Sequence, residues 1–348
     1  MLNVVFASDD NYAPFLLIAI HSLLKHNKKD FDKINIYVLD DGISEINKDK
    51  IQKNTNNYSS TTLTFIKTKN MNEMNITILG LKRNLNNSSL TPYARLFLSS
   101  LLPKSINKVL YLDCDSLIVD SFKELWKIDI NDYPCAAVID GTNTAVKEKL
   151  GFNRDEYYIN AGVLLINLKK WREDHVEEKF VRFMIDNQNK FYQHDQGIIN
   201  NTFKNQIKII DPKYNLQSYY QIVDYNLARK FLCTETEYYT KEIIDECRKT
   251  PVFLHFCGPN YDRPWYNKDH PYSEMFKEYA EEVNCGEVIE YLDELPLKAK
   301  MFYKGMDNKG IELLLKMIPA GLVRKMVNKN ALRQLEEEDQ KAKNNLKN

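Results

Sequence analysis

Two aspartates stand at the end of an apolar run, in the segment NKVLYLDCDSLIV. Side chains of successive strand residues alternate between the two faces, so Asp113 and Asp115 can point the same way while Cys114 points to the other. Two carboxylates this close repel each other unless a cation lies between them. Hard oxygen ligands favour a divalent metal, which usually binds phosphate oxygens at its open positions. The pair therefore predicts a metal site for a phosphate-containing ligand.

The same short D-x-D pattern occurs earlier in the chain, at Asp30 and Asp32. That copy lies among Lys28, Lys29 and Lys33, and no apolar strand precedes it. We interpret it as a solvated loop without a metal. The two copies differ only in their context, so the strand before the second copy carries the prediction.

Length and composition limit the function classes. With 348 residues, the chain suits one large α/β domain with an appendage, or two domains. Lys and Arg together number 48, as do Asp and Glu, so no global field attracts nucleic acid. The six cysteines lack C-x-x-C spacing, which argues against a structural zinc. The N-terminus does not resemble a signal peptide and no apolar run reaches membrane-span length, so we expect a cytoplasmic protein.

Strand and helix patterns alternate along the chain. Apolar runs predict strands at 2–7, 34–39, 62–67, 109–112 and 135–139, and helical spacing predicts helices at 13–26, 44–57 and 91–101. Thr91 would cap the last helix, with Pro92 at its first position. Residues 157–171 read as one nearly continuous apolar strand. The alternation predicts an α/β fold, with a largely parallel sheet covered by helices on both faces.

Ligands of such sheets bind beyond the carboxyl ends of the strands. The cluster Ser8–Asn11 ends the first strand, Asp113 and Asp115 end a middle one, and His255 ends the run PVFLHFCG. We therefore expect these groups to lie together at one edge. A neutral imidazole can join two carboxylates on a manganese-type ion, so His255 is the predicted third ligand.

Two further polar residues suit a site of this kind. Arg95, in TPYARL, offers a planar guanidinium that can bind phosphate or a neighbouring carboxylate. Asn160 begins the apolar segment 157–171, and a buried amide needs hydrogen-bond partners. A sugar hydroxyl would be one such partner.

Six segments, in order along the chain, together carry a family resemblance. They are FASDDNY (6–12), TPYARL (91–96), KVLYLDCD (108–115), NAGVLLINLKKW (160–171), HDQG (194–197) and HFCGP (255–259). The set closely resembles glycosyltransferase family 8, which includes bacterial lipopolysaccharide and lipooligosaccharide α-galactosyl- and α-glucosyltransferases. The resemblance spans residues 1 to about 275. It implies a GT-A fold and a retaining transfer of a hexose from UDP-glucose or UDP-galactose, with Mn²⁺ or Mg²⁺ as cofactor.

The resemblance also implies roles for individual residues. Ala7, Asp9 and Asn11 would contact uridine, and Asp113, Asp115 and His255 would bind the metal. The donor sugar and catalysis would involve Arg95, Asp140, Asn160, Asp195 and Gln196. Gly258 and Arg263 would approach the diphosphate. Gln196 would lie beneath the anomeric carbon. Because a neutral amide is a poor nucleophile, we favour attack on the same face as the leaving group, with Gln196 stabilising positive charge.

The chain departs from the family pattern at two places. The family commonly shows H-x-C-G-P-x-K-P-W, whereas HFCGPNYDRPW is two residues longer and carries Arg263 in place of the lysine. Gly197 follows Gln196, where an acidic residue is frequent. The first departure affects the diphosphate and the second affects the donor or acceptor pocket.

Two alternative functions stay open on the sequence. The segment YLDCDSLIVDS also resembles the first motif of haloacid-dehalogenase phosphatases, with Asp113 as nucleophile and Asp115 as general acid. About a hundred residues of ordered pattern precede it, however, and no later acidic pair follows. The other alternative is a catalytically inactive sugar-nucleotide-binding protein, which the intact set of two aspartates and His255 opposes.

The chain divides into an expected catalytic domain, 1–284, and a helical basic extension, 285–348. Residues 298–333 contain nine Lys or Arg against Asp307 and Glu312, an excess of seven positive charges, interleaved with apolar residues. Such a segment suits an anionic membrane surface, here the inner face, or a helical subdomain that packs on the main domain or on a second copy. The Asn-rich segment 71–90 is expected to close over a glycan acceptor. The sequence leaves the oligomeric state open.

Overall fold

The computed structural model describes residues 1–68, 91–187, 193–297, 300 and 309–345. The segment 71–90, predicted to close over the acceptor, lies outside these ranges. The strands are β1 Leu2–Ser8, β2 Ile34–Asp40, β3 Thr61–Lys67, β4 Lys108–Leu112, β5 Ser116–Ile118, β6 Cys135–Ala137, β7 Val163–Asn167, β8 Lys208–Ile209, β9 Leu216–Gln217 and β10 Phe253–His255.

The α-helices are numbered here in chain order within the same ranges. They are α1 Ala13–Asn27, α2 Glu45–Asn56, α3 Thr91–Ala94, α4 Leu98–Leu101, α5 Lys123–Lys127, α6 Thr144–Lys149, α7 Leu168–Glu173, α8 Val176–Asp186, α9 His194–Thr202, α10 Ser218–Ile222, α11 Tyr225–Leu232, α12 Lys241–Lys249, α13 Ser273–Glu282, α14 Lys309–Met317 and α15 Ala320–Asn345. Short 3₁₀ turns lie at Arg95–Phe97, Pro212–Asn215, Asn260–Asp262 and Gly286–Val288.

The described strands form a seven-stranded sheet in the order β3-β2-β1-β4-β7-β6-β8. Strands β3, β2, β1 and β4 run parallel to one another, as do β6 and β8. Strand β7 pairs antiparallel with both of its neighbours. The predicted α/β architecture with a mostly parallel sheet is therefore confirmed.

Helices cover both faces of this sheet, as continuous apolar strands require. Leu2, Val4 and Phe6 of β1 belong to a core that includes the buried side of α1. Val5 and Ala7 alternate to the other face and belong to a core with Trp171 and Phe180 of α7 and α8. Burial on two sides holds the polar ends of β1 and β4 at a fixed edge, where they can form a site.

His255 reaches that edge by a route that the sequence did not predict. Strand β10 belongs to a second, three-stranded sheet, ordered β5-β10-β9, and is not a strand of the main sheet. It pairs antiparallel with β5, so that His255 lies opposite Ser116. Because Ser116 directly follows Asp115, this pairing places the histidine beside the two aspartates.

Three predicted elements are shorter than expected. The strand predicted over 135–139 ends at Ala137. The helix predicted over 91–101 is interrupted by the 3₁₀ turn at Arg95–Phe97, where the Arg95 side chain donates to the carbonyl of Pro92. The strand predicted over 157–171 is confined to Val163–Asn167. There the Asn167 side chain accepts from the backbone N–H of Lys170 and caps α7, which ends the strand.

Helices α14 and α15, near the C-terminus, contact the preceding part of the chain. Leu315 and Val323 are buried, and the Lys230 ammonium donates to the carbonyl of Leu315 at 2.8 Å. Lys316 pairs with Asp224 at 2.9 Å. Among the described residues, no helix is both long and apolar enough to cross a bilayer.

Candidate active site

The two strand-end aspartates and His255 converge on one point. His255 Nε2 lies 3.4 Å from Asp115 Oδ1 and 3.7 Å from Asp113 Oδ2. One ligand atom from each of the three residues lies within 4.8 Å of the other two. In the part of the chain that the structure describes, this is the one group of three or more such side chains that could hold a metal ion.

The donor set of this group fits a divalent cation. Two carboxylate oxygens and one imidazole nitrogen suit Mn²⁺, and oxygen-rich sites also suit Mg²⁺. The opposite ring nitrogen, Nδ1, is 3.0 Å from the side-chain oxygen of Asn215. A hydrogen bond at Nδ1 leaves Nε2 facing the carboxylates, which is the orientation that a metal-binding histidine needs.

Charge interactions in this group oppose the effect of burial. Burial alone would raise the pKa of Asp115, but the hydrogen bond and charge of His255, with Arg263, hold it below its ordinary value. Burial alone would lower the pKa of His255, but Asp115 and Asp113 raise it. The three groups thus depend on one another for charge compensation.

Arg95 is committed to protein groups rather than to solvent. Its side chain donates to Asp113 Oδ1 at 2.7 Å and to the carbonyl of Ala161 at 2.7 Å, and its Nε lies 3.0 Å from Asp195. The guanidinium also lies over the ring of Tyr111, 4.1 Å from the ring centroid. Arg95 therefore fixes one carboxylate of the site and balances a second, buried one.

Burial and charge act in opposite directions on this pair as well. Burial alone would lower the pKa of Arg95, but Asp113 and Asp195 raise it. Burial raises the pKa of Asp195 above its ordinary value, although Arg95 lowers it. Because Asp195 is buried, water screens its charge less than it would screen the charge of an exposed aspartate.

A cleft of about 230 Å³ opens beside the aspartates. Its lining includes Ala7 near the end of β1, Asp9 and Tyr12 in the loop that follows, and Arg95 and Tyr111. Asn11 is exposed in the loop after β1 and does not line this cleft. Two of the three residues expected at uridine are therefore at the cleft.

Arg263 contacts two residues that line this cleft. Its NH2 group is 3.5 Å from Asp115 Oδ2, and its NH1 group donates to the hydroxyl of Tyr12 at 3.1 Å. Its Nε donates to the carbonyl of Gly258 at 3.3 Å. Gly258 has a φ of 116°, in the region of backbone conformation that favours glycine. The longer segment before Trp265 thus still brings the Arg263 guanidinium to the candidate metal ligands.

Asp140, Asn160 and Gln196 form a second cluster. The amide of Asn160 donates to Asp140 Oδ2 at 2.9 Å, and the amide of Gln196 approaches the same oxygen at 3.4 Å. The backbone N–H of Ala161 donates to the side-chain oxygen of Gln196 at 3.0 Å. These bonds hold the Gln196 amide between Ala161, just before the start of β7, and Asp140.

The structure adds residues that the sequence reasoning missed. Asn215 contacts both His255 and Asn160, at 3.0 and 2.8 Å. Tyr111 donates to Asp113 at 3.2 Å. Asn215 ends a 3₁₀ turn before a two-residue strand, so no periodic pattern points to it. Tyr111 belongs to the apolar run of β4, where it reads as a core residue.

Gly162 marks a close approach of the backbone to His255. An added Cβ would meet Cε1 of the ring, and would lie 2.7 Å from Nδ1 and 3.0 Å from the side-chain oxygen of Asn160. The glycine in NAGV is thus explained by the space that the imidazole occupies.

Gly162→Ala should lower the free energy of unfolding by about 1–3 kcal/mol, because the buried His255 ring must shift. Urea unfolding measures this change. Gly286→Ala is the matched control, since no atom lies within 4 Å of its added Cβ, and its stability should stay close to that of the wild type. Equal stabilities for both variants would contradict the tight packing of His255.

A larger cleft, of about 650 Å³, lies elsewhere on the molecule. It runs between Phe97, Trp171 and helix α8, and none of the predicted site residues lines it. Size alone therefore does not identify the site; the converging ligand atoms do.

The chain is similar to known glycosyltransferases in sequence and in fold. The model of glycosyl transferase family 8 matches residues 3–269. A predicted glycosyltransferase of Haemophilus influenzae is 34% identical over 272 residues, covering 77% of this chain and 74% of that protein. The lipopolysaccharide 1,2-glucosyltransferase of Escherichia coli is 27% identical over 275 residues, covering 76% of this chain and 73% of that protein.

A solved structure shows the same architecture. The galactosyltransferase LgtC, solved in complex with donor and acceptor sugar analogues, superimposes with a TM-score of 0.63 and 28% identity. The match covers 86% of this chain and 99% of that one. The chain therefore has the GT-A fold and belongs to glycosyl transferase family 8.

Proposed function

We propose that this glycosyltransferase moves glucose or galactose from a UDP-sugar to a glycan acceptor, with retention of configuration and with Mn²⁺ or Mg²⁺ bound. The observation that carries the proposal is the convergence of Asp113, Asp115 and His255 within 4.8 Å beside the cleft. The similarity to the Escherichia coli lipopolysaccharide 1,2-glucosyltransferase supports a lipopolysaccharide-like glycan as acceptor. The similarities to that glucosyltransferase and to the galactosyltransferase LgtC support a hexose as the transferred sugar.

Asp113, Asp115 and His255 would hold the cation. When bound, a divalent cation neutralises charge that develops on the diphosphate as the sugar–phosphate bond breaks. Arg263 lies 3.5 Å from Asp115, so it would add a second positive charge near the diphosphate oxygens. The Gly258 peptide would lie close to the diphosphate, and Ala7, Asp9 and Asn11 would contact uridine.

The second cluster would receive the donor sugar. Asn160 and Asp140 offer polar atoms for sugar hydroxyls, and Gln196 would stabilise positive charge at the anomeric carbon. The weakly basic amide of Gln196, held by bonds at both of its ends, supports attack on the face of the leaving group. Arg95 and Asp195 would lie at the donor sugar as well. Arg95 pairs with Asp195 at 3.0 Å and with Asp113 at 2.7 Å, and it would also hold Asp113 in place.

The phosphatase alternative finds no support in the geometry of Asp113. Its Oδ1 accepts hydrogen bonds from Arg95 at 2.7 Å and from Tyr111 at 3.2 Å, and its Oδ2 faces His255. A phosphatase nucleophile needs a carboxylate oxygen free to attack phosphorus. The three candidate ligands also weigh against an inactive sugar-nucleotide-binding protein.

A thermal-shift panel tests the donor. A ligand that binds only the folded chain stabilises it by about 2.7 kcal/mol at a concentration of 100 Kd. UDP-glucose or UDP-galactose with Mn²⁺ should raise Tm more than the corresponding ADP-, GDP- and CDP-sugars do. Equal shifts for all nucleotides, or none for the uridine compounds, would contradict the proposed donor class.

We also propose that the C-terminal extension contacts an anionic membrane surface, at the cytoplasmic face. We keep residue 284 as the boundary of the catalytic domain. The described helices α14 and α15 bury Leu315 and Val323, whereas other apolar side chains point outward. The outward group, between 52% and 69% exposed, is Leu313, Leu314, Met317, Leu322 and Met326. Lys325 and Lys329 are exposed on α15, the helix that also carries Leu322 and Met326. These positive charges support an acidic lipid surface as partner.

Leu322→Glu with Met326→Glu should reduce binding to phosphatidylserine-containing vesicles by about tenfold or more, since it removes apolar contact and adds negative charge. Co-sedimentation of the full chain measures this, and salt should weaken wild-type binding. The control is Ile46→Glu. Ile46 lies on α2, far in sequence from Leu322 and Met326, and its side chain is 73% exposed. Equal vesicle binding by all three proteins would favour a purely packed subdomain.

A further inference from the structure

The buried amide of Asn215 lies between the two halves of the site. Its side-chain oxygen is 3.0 Å from His255 Nδ1, and its side-chain nitrogen is 2.8 Å from the oxygen of Asn160. Asn215 is 1% exposed, His255 is 3% exposed and Asn160 is 6% exposed, so water is a poor substitute for these bonds. Each member therefore depends on the others for its hydrogen bonds.

The backbone N–H of Gly162 fixes the donor and the acceptor in each of these hydrogen bonds. The N–H of Gly162, which can only donate, lies 2.9 Å from one side-chain atom of Asn160, so that atom is the oxygen. The Asn215 atom facing that oxygen must then be its NH₂ group. The other Asn215 atom, which faces His255 Nδ1, must be the amide oxygen.

The orientation of the Asn215 amide determines which nitrogen of His255 can bind a metal. An amide oxygen only accepts, so Nδ1 of His255 carries a proton. In the neutral ring, the lone pair is then on Nε2, which faces Asp113 and Asp115. Hydrogen-bond partners of this kind fix the tautomer and the ring plane of metal-binding histidines.

The same amide reaches the donor-sugar side of the site. The Asn160 amide in turn donates a hydrogen bond to Asp140 at 2.9 Å, and Gln196 contacts the same carboxylate. The chain of bonds thus runs from His255 through Asn215 and Asn160 to Asp140. Asn215 is the member that touches both the candidate metal ligand and the sugar-side cluster.

We infer that Asn215 is a positioning residue. It orients the His255 ring so that Nε2 can bind a divalent cation, and it links the ring through hydrogen bonds to the donor-sugar cluster. The inference rests on the proposed function, because it takes His255 as a metal ligand. It assigns Asn215 two separable effects, one on cation affinity through its oxygen and one on turnover through its NH₂ group.

Asn215→Leu removes both effects, because leucine has nearly the same shape and no polar atoms. Binding of Mn²⁺, followed by the loss of the free-ion electron paramagnetic resonance signal, should weaken by about 10–100-fold. Asn35→Leu is the matched control. Asn35 is also a buried amide with two side-chain partners, Asn3 and Thr62, but lies near the start of β2. It should lower Tm without changing the affinity for Mn²⁺.

Asn215→Asp separates the two effects and serves if the leucine variant does not fold. Its carboxylate still accepts from His255 Nδ1 but places an oxygen against the oxygen of Asn160. Affinity for Mn²⁺ should stay within a few-fold of the wild type, while donor turnover at saturating Mn²⁺ should fall by about tenfold or more.

Unchanged Mn²⁺ affinity in Asn215→Leu, or an equal loss in Asn35→Leu, would overturn the first effect. Wild-type turnover in Asn215→Asp would overturn the second effect. Wild-type protein that binds no Mn²⁺ would instead contradict the metal dependence in the proposed function, so the two failures are distinguishable.

Discussion

Asp115→Asn should lower the rate of hexose transfer by about a thousandfold or more while the protein stays folded. The substitution removes a carboxylate that faces His255 at 3.4 Å and Arg263 at 3.5 Å. A bound cation contributes several kcal/mol of charge stabilisation in the transition state, and each 1.4 kcal/mol corresponds to about tenfold in rate. Steady-state UDP release measures the effect, and circular dichroism checks the fold.

The earlier D-x-D copy provides the control for this prediction. Asp30 and Asp32 are exposed in the turn after α1, and Asp30 lies 3.5 Å from Lys123. Asp32→Asn removes a carboxylate of the same local pattern and should leave the rate unchanged. A similar loss in both variants would show that general charge, rather than the site at Asp115, controls activity.

Arg263→Ala should lower kcat by about a hundredfold, with a smaller change in donor affinity. The leaving diphosphate becomes more negative as the sugar departs, so a cation at this position acts more strongly in the transition state than in the ground state. Arg263→Lys should recover part of kcat, limited by its shorter reach and by the loss of the planar guanidinium. Initial rates at varied donor concentration separate kcat from KM.

Lys268 supplies the contrasting variant. It is exposed on the same loop, five residues further along the chain, and is the next candidate for the diphosphate. Lys268→Ala should leave kcat near the wild-type value. Normal turnover in Arg263→Ala together with a large loss in Lys268→Ala would move the diphosphate contact to Lys268.

Much of the fold was predictable because apolar periodicity and strand-end position are local signals. The runs that form β1, β2 and β4 have near-continuous apolar patterns, and the structure places strands within a residue or so of the predicted ends. The strand predicted over 157–171 was too long because Asn167 caps a helix inside an apolar run. An apolar run alone does not distinguish a buried strand from a buried helix.

The candidate metal ligands could be predicted, but the route to His255 and its support could not. His255 arrives through the antiparallel pairing of β10 with β5, a long-range contact that no local pattern encodes. Asn215 acquires its importance from two contacts, with residues 40 and 55 positions away in sequence. Such residues become visible only when distant segments are brought together.

The metal dependence of UDP release tests the central claim most directly. UDP-glucose, UDP-galactose and a phosphomonoester are each incubated with the full chain, with Mn²⁺ or with excess chelator, and free UDP and inorganic phosphate are measured. We expect UDP to form from at least one donor with Mn²⁺ and to stop forming when the metal is chelated, with no release of phosphate from phosphomonoesters. Undiminished UDP release under chelation, or phosphate release without UDP, would contradict a metal-dependent hexosyl transfer at Asp113, Asp115 and His255.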